Sequence, residues 1–224
     1  MIGRLYASVL ALSLTKDGSV AAGPSFTRGL DWESGVSSTM IPIPLGFAEH
    51  RKMILDADDC ATLAQKYATI RAKFDVFNNK LHVALRRFAF AMERREPDDK
   101  MLDHMIAAEA LFLDDGNTAE LRYRLSMRMA FALGGGDDSL RRRVFEDVQH
   151  AYDVRSKIAH GSQPSAKNLV IAGKCVSREN FVSAIGEHVR VALRIAIDAG
   201  LPTDWDALIV GPLAAAGGAA QRAV

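Results

Sequence analysis

The sequence predicts a mainly α-helical protein, an up-and-down helical bundle preceded by a short N-terminal extended or β appendage. Three observations carry that expectation. From Ala48 onward, apolar residues recur at three- and four-residue intervals, the period of helices half buried against one another. The periodic runs are separated by short punctuating stretches, "EPDDK", "DDGN" and "GGGDDS", and short connections favour antiparallel neighbours. Before Ala48 the pattern differs, with a β-compatible run followed by a stretch rich in Gly, Ser and Pro. The expected organisation is an extended segment over residues 1–47, a helical bundle over 48–210 and a flexible tail over 211–224.

Taken in order, residues 2–14 read as an opening strand closed by the turn signal "TKDGS". The two prolines of "MIPIPLG" then forbid a regular helix. Residues 48–74 and 77–95 form two helices, and Pro97 suits the first turn of a third reaching about Leu113. "NTAE" has the form of a capping box, Asn117 with Glu120, for a fourth helix to about Leu133. That helix is apolar nearly all round, which predicts a central position. "GGGDDS" caps a helix that runs to His160, and residues 162–177 form a polar loop around "LVIAGKCV". Ser177 caps a long helix to about Ala199, and "TDWD" opens one short helix more.

The bulk numbers exclude several classes. A chain of 224 residues supports one large domain or one domain with an appendage. Its net charge of +1 gives no global attraction to nucleic acid, so such a site would have to be a local basic patch. Two cysteines, Cys60 and Cys175, have no metal-type spacing and suit a reducing compartment. No apolar run reaches the length of a membrane span, and the N-terminus makes a poor signal peptide. The expectation is a cytoplasmic protein with no membrane contact.

The stretch "YDVRSKIAHG", Tyr152 to Gly161, carries the chemistry. On an ideal helix Leu140, Val144, Val148, Ala151 and Ile158 share one stripe, and Arg155 falls in its middle. A guanidinium cannot shed its charge, so it must meet a carboxylate or line a cleft that an anion such as phosphate visits. His160 lies about 140° further round. Gly161 suits the left-handed residue that ends a helix, and a histidine placed there suits proton transfer near neutral pH. In the helix from Pro97, Glu109 sits amid Met101, Met105, Ile106 and Phe112, so an acid and an arginine face each other across the bundle. Arg122, within the Leu121/Leu125/Met129 face, is a rival partner for Glu109. A structural Arg155–Glu109 ion pair explains the stripe equally well.

Read together as Y-x-x-R-S-x-x-x-H-G, Tyr152, Arg155, Ser156, His160 and Gly161 resemble the signature of the HEPN (higher eukaryotes and prokaryotes nucleotide-binding) superfamily, in its Apea-like branch. "EALFLDDG", with Glu109, Leu111 and Phe112, and "LRYRLSMRMAFALG" resemble the first two helices of that branch. The resemblance covers roughly residues 105–200, with an expected HEPN-like core over about 98–200. It implies a bundle of four or five helices and a homodimer with two arginine–histidine motifs facing one cleft. It further implies a metal-independent endoribonuclease acting as a toxin or in antiphage defence, with a possible antitoxin or regulatory partner protein. Arg155 would then hold the scissile phosphate and His160 would move protons as the ribose 2′-hydroxyl attacks, leaving a cyclic phosphate and a 5′-hydroxyl. Tyr152, Ser156 and Glu109 would support them. Ser156 departs from the asparagine frequent elsewhere in the superfamily. That departure and the low net charge leave room for a catalytically silent module binding RNA, nucleotide or a protein partner.

Other candidates have bland alternatives. Arg141 and Arg142 of "LRRRV" suit RNA backbone but also a solvated helix face. Arg124 and Arg128 share a face at four-residue spacing and, with Arg122, would extend a basic cleft. "DADDC" with His82 invites a metal, although acidic residues on a helix surface are commoner. His104 and His150 read as solvated, the glycines at 134–136 as a flexible connection, and Trp32 and Trp205 as packing. No cofactor and no metal is expected.

Overall fold

In the computed structural model, the described residues are 2–16, 25–28, 38–41, 53–113 and 119–210. They hold eight α-helices: α1 (Ile2–Thr15), α2 (Ala57–Lys73), α3 (Asn79–Glu93), α4 (Pro97–Phe112), α5 (Leu121–Gly134), α6 (Asp138–Ala159), α7 (Arg178–Asp198) and α8 (Trp205–Val210). Two short antiparallel pairs accompany them, β1 (Ser25–Arg28) with β2 (Ser38–Ile41) and β3 (Val170–Ile171) with β4 (Lys174–Cys175). The mainly helical bundle stands. Residues 42–52, Trp32, Asn117 and the tail over 211–224 lie outside the described residues.

The opening strand does not form. Residues 2–15 are helical, because Ala7, Leu10, Ala11 and Leu14 fall at i, i+3, i+4 and i+7 and are all buried. A short apolar run satisfies strand and helix patterns alike, and the groove offered by α2, α3 and α7 decides between them. The last carbonyls of α1 have no partners within the helix. Two arginines of α7 supply donors: Arg190 Nε binds Ser13 O at 2.8 Å, and Arg194 binds Leu14 O through Nε and Thr15 O through Nη2. Residues 1–47 are therefore not one extended appendage. Their first third is a bundle helix, and the β1–β2 pair follows it.

Caps locate the other starts. Asp56 and Asp59 form a reciprocal capping box at α2, with bonds of 2.8 and 3.1 Å. Two acids of "DADDC" are thus spent on the backbone, and His82 stacks edge-on against Phe74, so the metal reading of this pair fails. Asn78, Asp137 and Ser177 cap α3, α6 and α7, and Pro97 opens α4. Glu120 is itself the N-cap position of α5, with φ of 51°, rather than the third helical residue of a box. Asp204 accepts from Ala207 N at 2.9 Å and opens α8 one residue later than a Thr203 box would.

The centre of the bundle is α7, not α5. It touches α1 through α6, while α5 keeps Tyr123 about half exposed. Helices α5 and α6 are antiparallel: Arg122 meets Asp153 at one end and Gly134 meets Arg141 at the other. Helices α4 and α7 run parallel, since Asp98 lies against Arg178 and His104 against Gly186. The bundle is therefore not up-and-down throughout. Helices α6 and α7 are antiparallel, with Arg178 against Gln163 and His188 against Asp147, and β3 packs on both. His104 is 2% exposed and rests on Phe88, so it is a core residue rather than a solvated one. His150 is half-buried.

A Cβ added at Gly186 would lie 2.8 Å from His104 Nε2. The residue keeps α7 close to α4 at the centre of the core. Gly186→Ala should lower unfolding stability by roughly 1–3 kcal/mol through overpacking. Chemical denaturation of wild type beside variant measures this. Equal midpoints would show that His104 yields freely.

Candidate functional site

Helix α6 ends where its sequence says it should. Gly161 adopts φ of 73°, its N–H binds Ile158 O at 3.0 Å, and Ser162 N–H binds Lys157 O at 2.8 Å. These two bonds constitute a Schellman closure with His160 as the C-cap. His160 donates its backbone N–H to Ser156 O and Lys157 O at 3.1 and 3.2 Å. Its side chain is exposed, and among the described residues nothing bonds the imidazole. The turn thus holds the histidine at a defined place and leaves its ring available.

One turn and a half earlier, Arg155 is half-buried and directs Nη2 to Glu109 Oε2 at 3.3 Å. The choice between arginines resolves this way because Arg122 is engaged elsewhere, with Asp153 at 2.8 Å. The Arg155 guanidinium also lies 5.9 Å from the Tyr152 ring centre. Its Nε is buried and, among the described residues, has no acceptor. Side-chain exposures of 31% for Arg155 and 24% for Glu109 leave the pair open to a ligand from solvent. Burial pushes the Glu109 carboxyl above its ordinary range, and Arg155 beside it opposes that rise. Ser156 is half-buried and serves the turn through its carbonyl. Arg155, Tyr152 and Glu109 are therefore brought together, and His160 stands at the same helix end on another face.

The remaining basic candidates divide. Arg128 turns inward: Nη1 binds the Phe112 carbonyl, an orphan at the end of α4, at 2.5 Å, and the guanidinium lies 5.6 Å from the Trp205 ring centre. Arg124 reaches the Ala119 carbonyl at 3.3 Å, so Arg124 and Arg128 do not make one basic face. Arg141 pairs with Asp138 at 3.1 Å and lies over Phe131. Its close approach to Gly134 makes that glycine a packing residue. Arg142 is exposed. Trp205 packs on Phe112, as expected of a packing residue. Among the described residues, no group of three or more His, Cys, Asp or Glu side chains is placed to hold a metal ion.

Sequence reasoning missed Asp147 and His188. Asp147 is 4% exposed, accepts the His188 ring Nε2 at 3.0 Å and takes Ala172 N–H at 2.8 Å. Ala172 has φ of 48°, a strained value for alanine that this bond helps to hold. The acid pins the β3–β4 hairpin and α7 onto α6. A signal was present, since Asp147 lies beside Val144, Val148 and Ala151 on the buried stripe. Its partners, 25 and 41 residues further on, had no pattern to mark them.

Any anion that approaches Arg155 competes with Glu109. A carboxyl raised above its ordinary value takes up its proton at higher pH in the folded chain, so falling pH neutralises it early and frees the guanidinium. Binding of sulfate, whose charge does not change in this range, should therefore strengthen as pH is lowered from about 8 to about 5. Glu109→Gln should bind about tenfold tighter near neutrality and lose most of that dependence. Calorimetric titration across the range checks both. An unchanged affinity in the variant would show that Glu109 does not guard the arginine.

Comparison with protein-family models, curated proteins and solved structures returned no match.

Proposed function

We propose that this chain is a metal-independent endoribonuclease of HEPN type, with Arg155 and His160 as its reacting side chains. The observation that carries the reading is the end of α6. A half-exposed arginine with an unused donor and an exposed histidine on a closed turn stand five residues apart, in the pattern that resembles the HEPN signature. Charge develops on phosphate oxygens as a ribose 2′-hydroxyl attacks the adjacent phosphorus, and a fixed guanidinium stabilises it. An imidazole at the surface takes the hydroxyl proton or returns one to the leaving 5′-oxygen. The products are a cyclic phosphate and a free 5′-hydroxyl. Glu109 and Tyr152 position the guanidinium, and Ser156 supports the turn. Exposed Arg142 and partly exposed Arg122 and Arg141 are the backbone contacts this reading retains.

A homodimer that sets two motifs across one cleft, a cytoplasmic setting, a role as toxin or in antiphage defence, and control by an antitoxin or regulatory protein belong to the same proposal. No helix among the described residues is long and apolar enough to cross a membrane. The Glu109 contact favours a second reading, a catalytically silent module that binds RNA, nucleotide or a protein partner through Arg155.

The deciding experiment is cleavage of a mixed RNA pool with a chelator present, wild type beside His160→Ala and Arg155→Ala, with analysis of the ends. Cyclic phosphates from wild type and a loss of at least about 100-fold in each variant are expected. His160→Ala should leave thermal stability within a degree or two, because among the described residues nothing bonds the ring. A folded dimer that cuts nothing would transfer the function to the silent module. A monomer in solution would remove the facing pair of motifs.

A further inference from the structure

From Val154 to Arg178 the chain carries Arg155, Lys157, Lys167, Lys174 and Arg178, together with His160, and no aspartate or glutamate. In a protein with a net charge of +1 this is the longest stretch free of acids. It covers the end of α6 and all of the α6–α7 connection. A polyanion drawn to this chain meets a local basic surface there.

The connection is fastened along α6. Near the His160 turn, Lys157 Nζ donates to Asn168 Oδ1 at 2.9 Å. Further back, Asp147 accepts Ala172 N–H at 2.8 Å. Lys157 and Asp147 are about 15 Å apart along the helix axis, and the connection spans that length. Leu169 is buried, and its carbonyl accepts Val176 N–H at 2.9 Å beside the β3–β4 pair. Lys167 precedes Asn168, and Lys174 stands on β4 opposite Ile171. Both lysines are exposed, and among the described residues neither ammonium has a bonded partner. Three aspartates of the neighbouring elements are already engaged: Asp153 with Arg122, Asp147 with His188 and Asp98 with Arg178.

Two further observations select the partner. The stretch contains no Phe, Tyr or Trp, so it offers no platform for stacking a base. The exposed large hydrophobic residues, Ile54, Val76, Tyr123 and Leu208, all lie elsewhere, so it offers nothing to insert into lipid or to pack on an apolar protein face. Unpaired cations without stacking or apolar groups suit a phosphate backbone read without regard to sequence.

We propose that the α6–α7 connection is a sequence-independent track for the RNA backbone. Lys167 and Lys174 each meet a phosphate of the strand whose scissile bond lies at Arg155 and His160. The track rests on the ribonuclease reading and adds to it where the strand runs.

The test is binding of a labelled RNA of about 12 nucleotides with methylated 2′-hydroxyls, which cannot be cut and keeps its phosphates. Anisotropy is followed with the full chain between about 50 and 200 mM salt, for a uridine run and an adenosine run. The double variant Lys167→Gln, Lys174→Gln is compared with Arg71→Gln, Arg86→Gln, which removes the same charge from exposed positions on α2 and α3. The lysine variant should bind at least about fivefold more weakly at the lower salt. Its slope of log K against log salt should fall by about 1.4, two phosphates at roughly 0.7 each, for both sequences. The arginine variant should keep the wild-type slope. An unaltered slope in the lysine variant, or a loss confined to one sequence, overturns the track, while cleavage by wild type would keep the ribonuclease reading standing. A wild type that neither binds nor cuts RNA overturns both. Lysine-dependent binding to phosphatidylserine vesicles in place of RNA overturns the track as well and assigns the surface to a lipid headgroup.

Discussion

Arg190 is a guanidinium at the centre of the molecule, 2% exposed, and the packing around it follows from the need to satisfy it. It cannot become neutral, and an unpaired charge at that depth would cost several kcal/mol. Three neighbours answer it: the Ser13 carbonyl at the end of α1, the Glu187 carboxylate one turn away on α7, and the Phe88 ring of α3, 5.6 Å from the guanidinium carbon. One side chain thereby joins α1, α3 and α7. Arg194, a turn further along, repeats the contact with the next two carbonyls of α1, and burial holds its guanidinium below the ordinary range. Without α1 these two arginines would lose carbonyl partners, so the N-terminal helix completes the core chemically as well as sterically.

The same device recurs. Helix C-termini leave carbonyls with no partner, and in this protein long cationic side chains from neighbouring helices supply donors. Arg128 answers Phe112 at the end of α4, and Lys73 reaches Ile197 at the end of α7 at 3.3 Å. The buried carboxylate of Asp103 inverts the pattern, accepting from Arg87 and Arg94 at 3.1 and 3.0 Å and locking α3 to α4. Charge inside this bundle therefore acts as a set of ties between elements. The ties leave α7 able to lie at the centre, thinned at Gly186 where it meets α4.

What the sequence disclosed divides along one line, local against distant. Caps and breakers act within a few residues, so Pro97, the GGGDDS stretch, Ser177 and Gly161 were legible and the helices they bound followed. The Arg155–Glu109 contact was legible as well, because each residue interrupts an apolar stripe, although Arg122 could not be set aside until its bond to Asp153 was seen. The α1 partner of Arg190, Ser13, lies 177 residues away in the chain, so nothing near α1 revealed that a helix would be docked there. Arg128 misled for a related reason. Four-residue spacing with Arg124 describes where a side chain leaves the helix, and the orphan carbonyl of Phe112 determines where it goes.

The Arg155–Glu109 contact can be weighed by the same physics. Both side chains keep a quarter to a third of their surface in water, and the contact is a single one at 3.3 Å. Such pairs contribute about 1 kcal/mol or less. The ties at Arg190, Asp103 and Asp147 involve residues no more than 4% exposed, each with two or more polar contacts. The partners in those ties are shallower, Glu187 at 50% and Arg94 at 47%, so depth at one residue is what marks a tie, and neither Arg155 nor Glu109 has it. Among the described residues the Arg155 Nε has no acceptor, and burial disfavours the charge of its carboxylate partner. A cation that is incompletely paired and reachable from solvent can exchange one anion for another. Arg122 and Arg141 also bury an Nε with no acceptor among the described residues, so what distinguishes Arg155 is its carboxylate partner, whose charge burial disfavours.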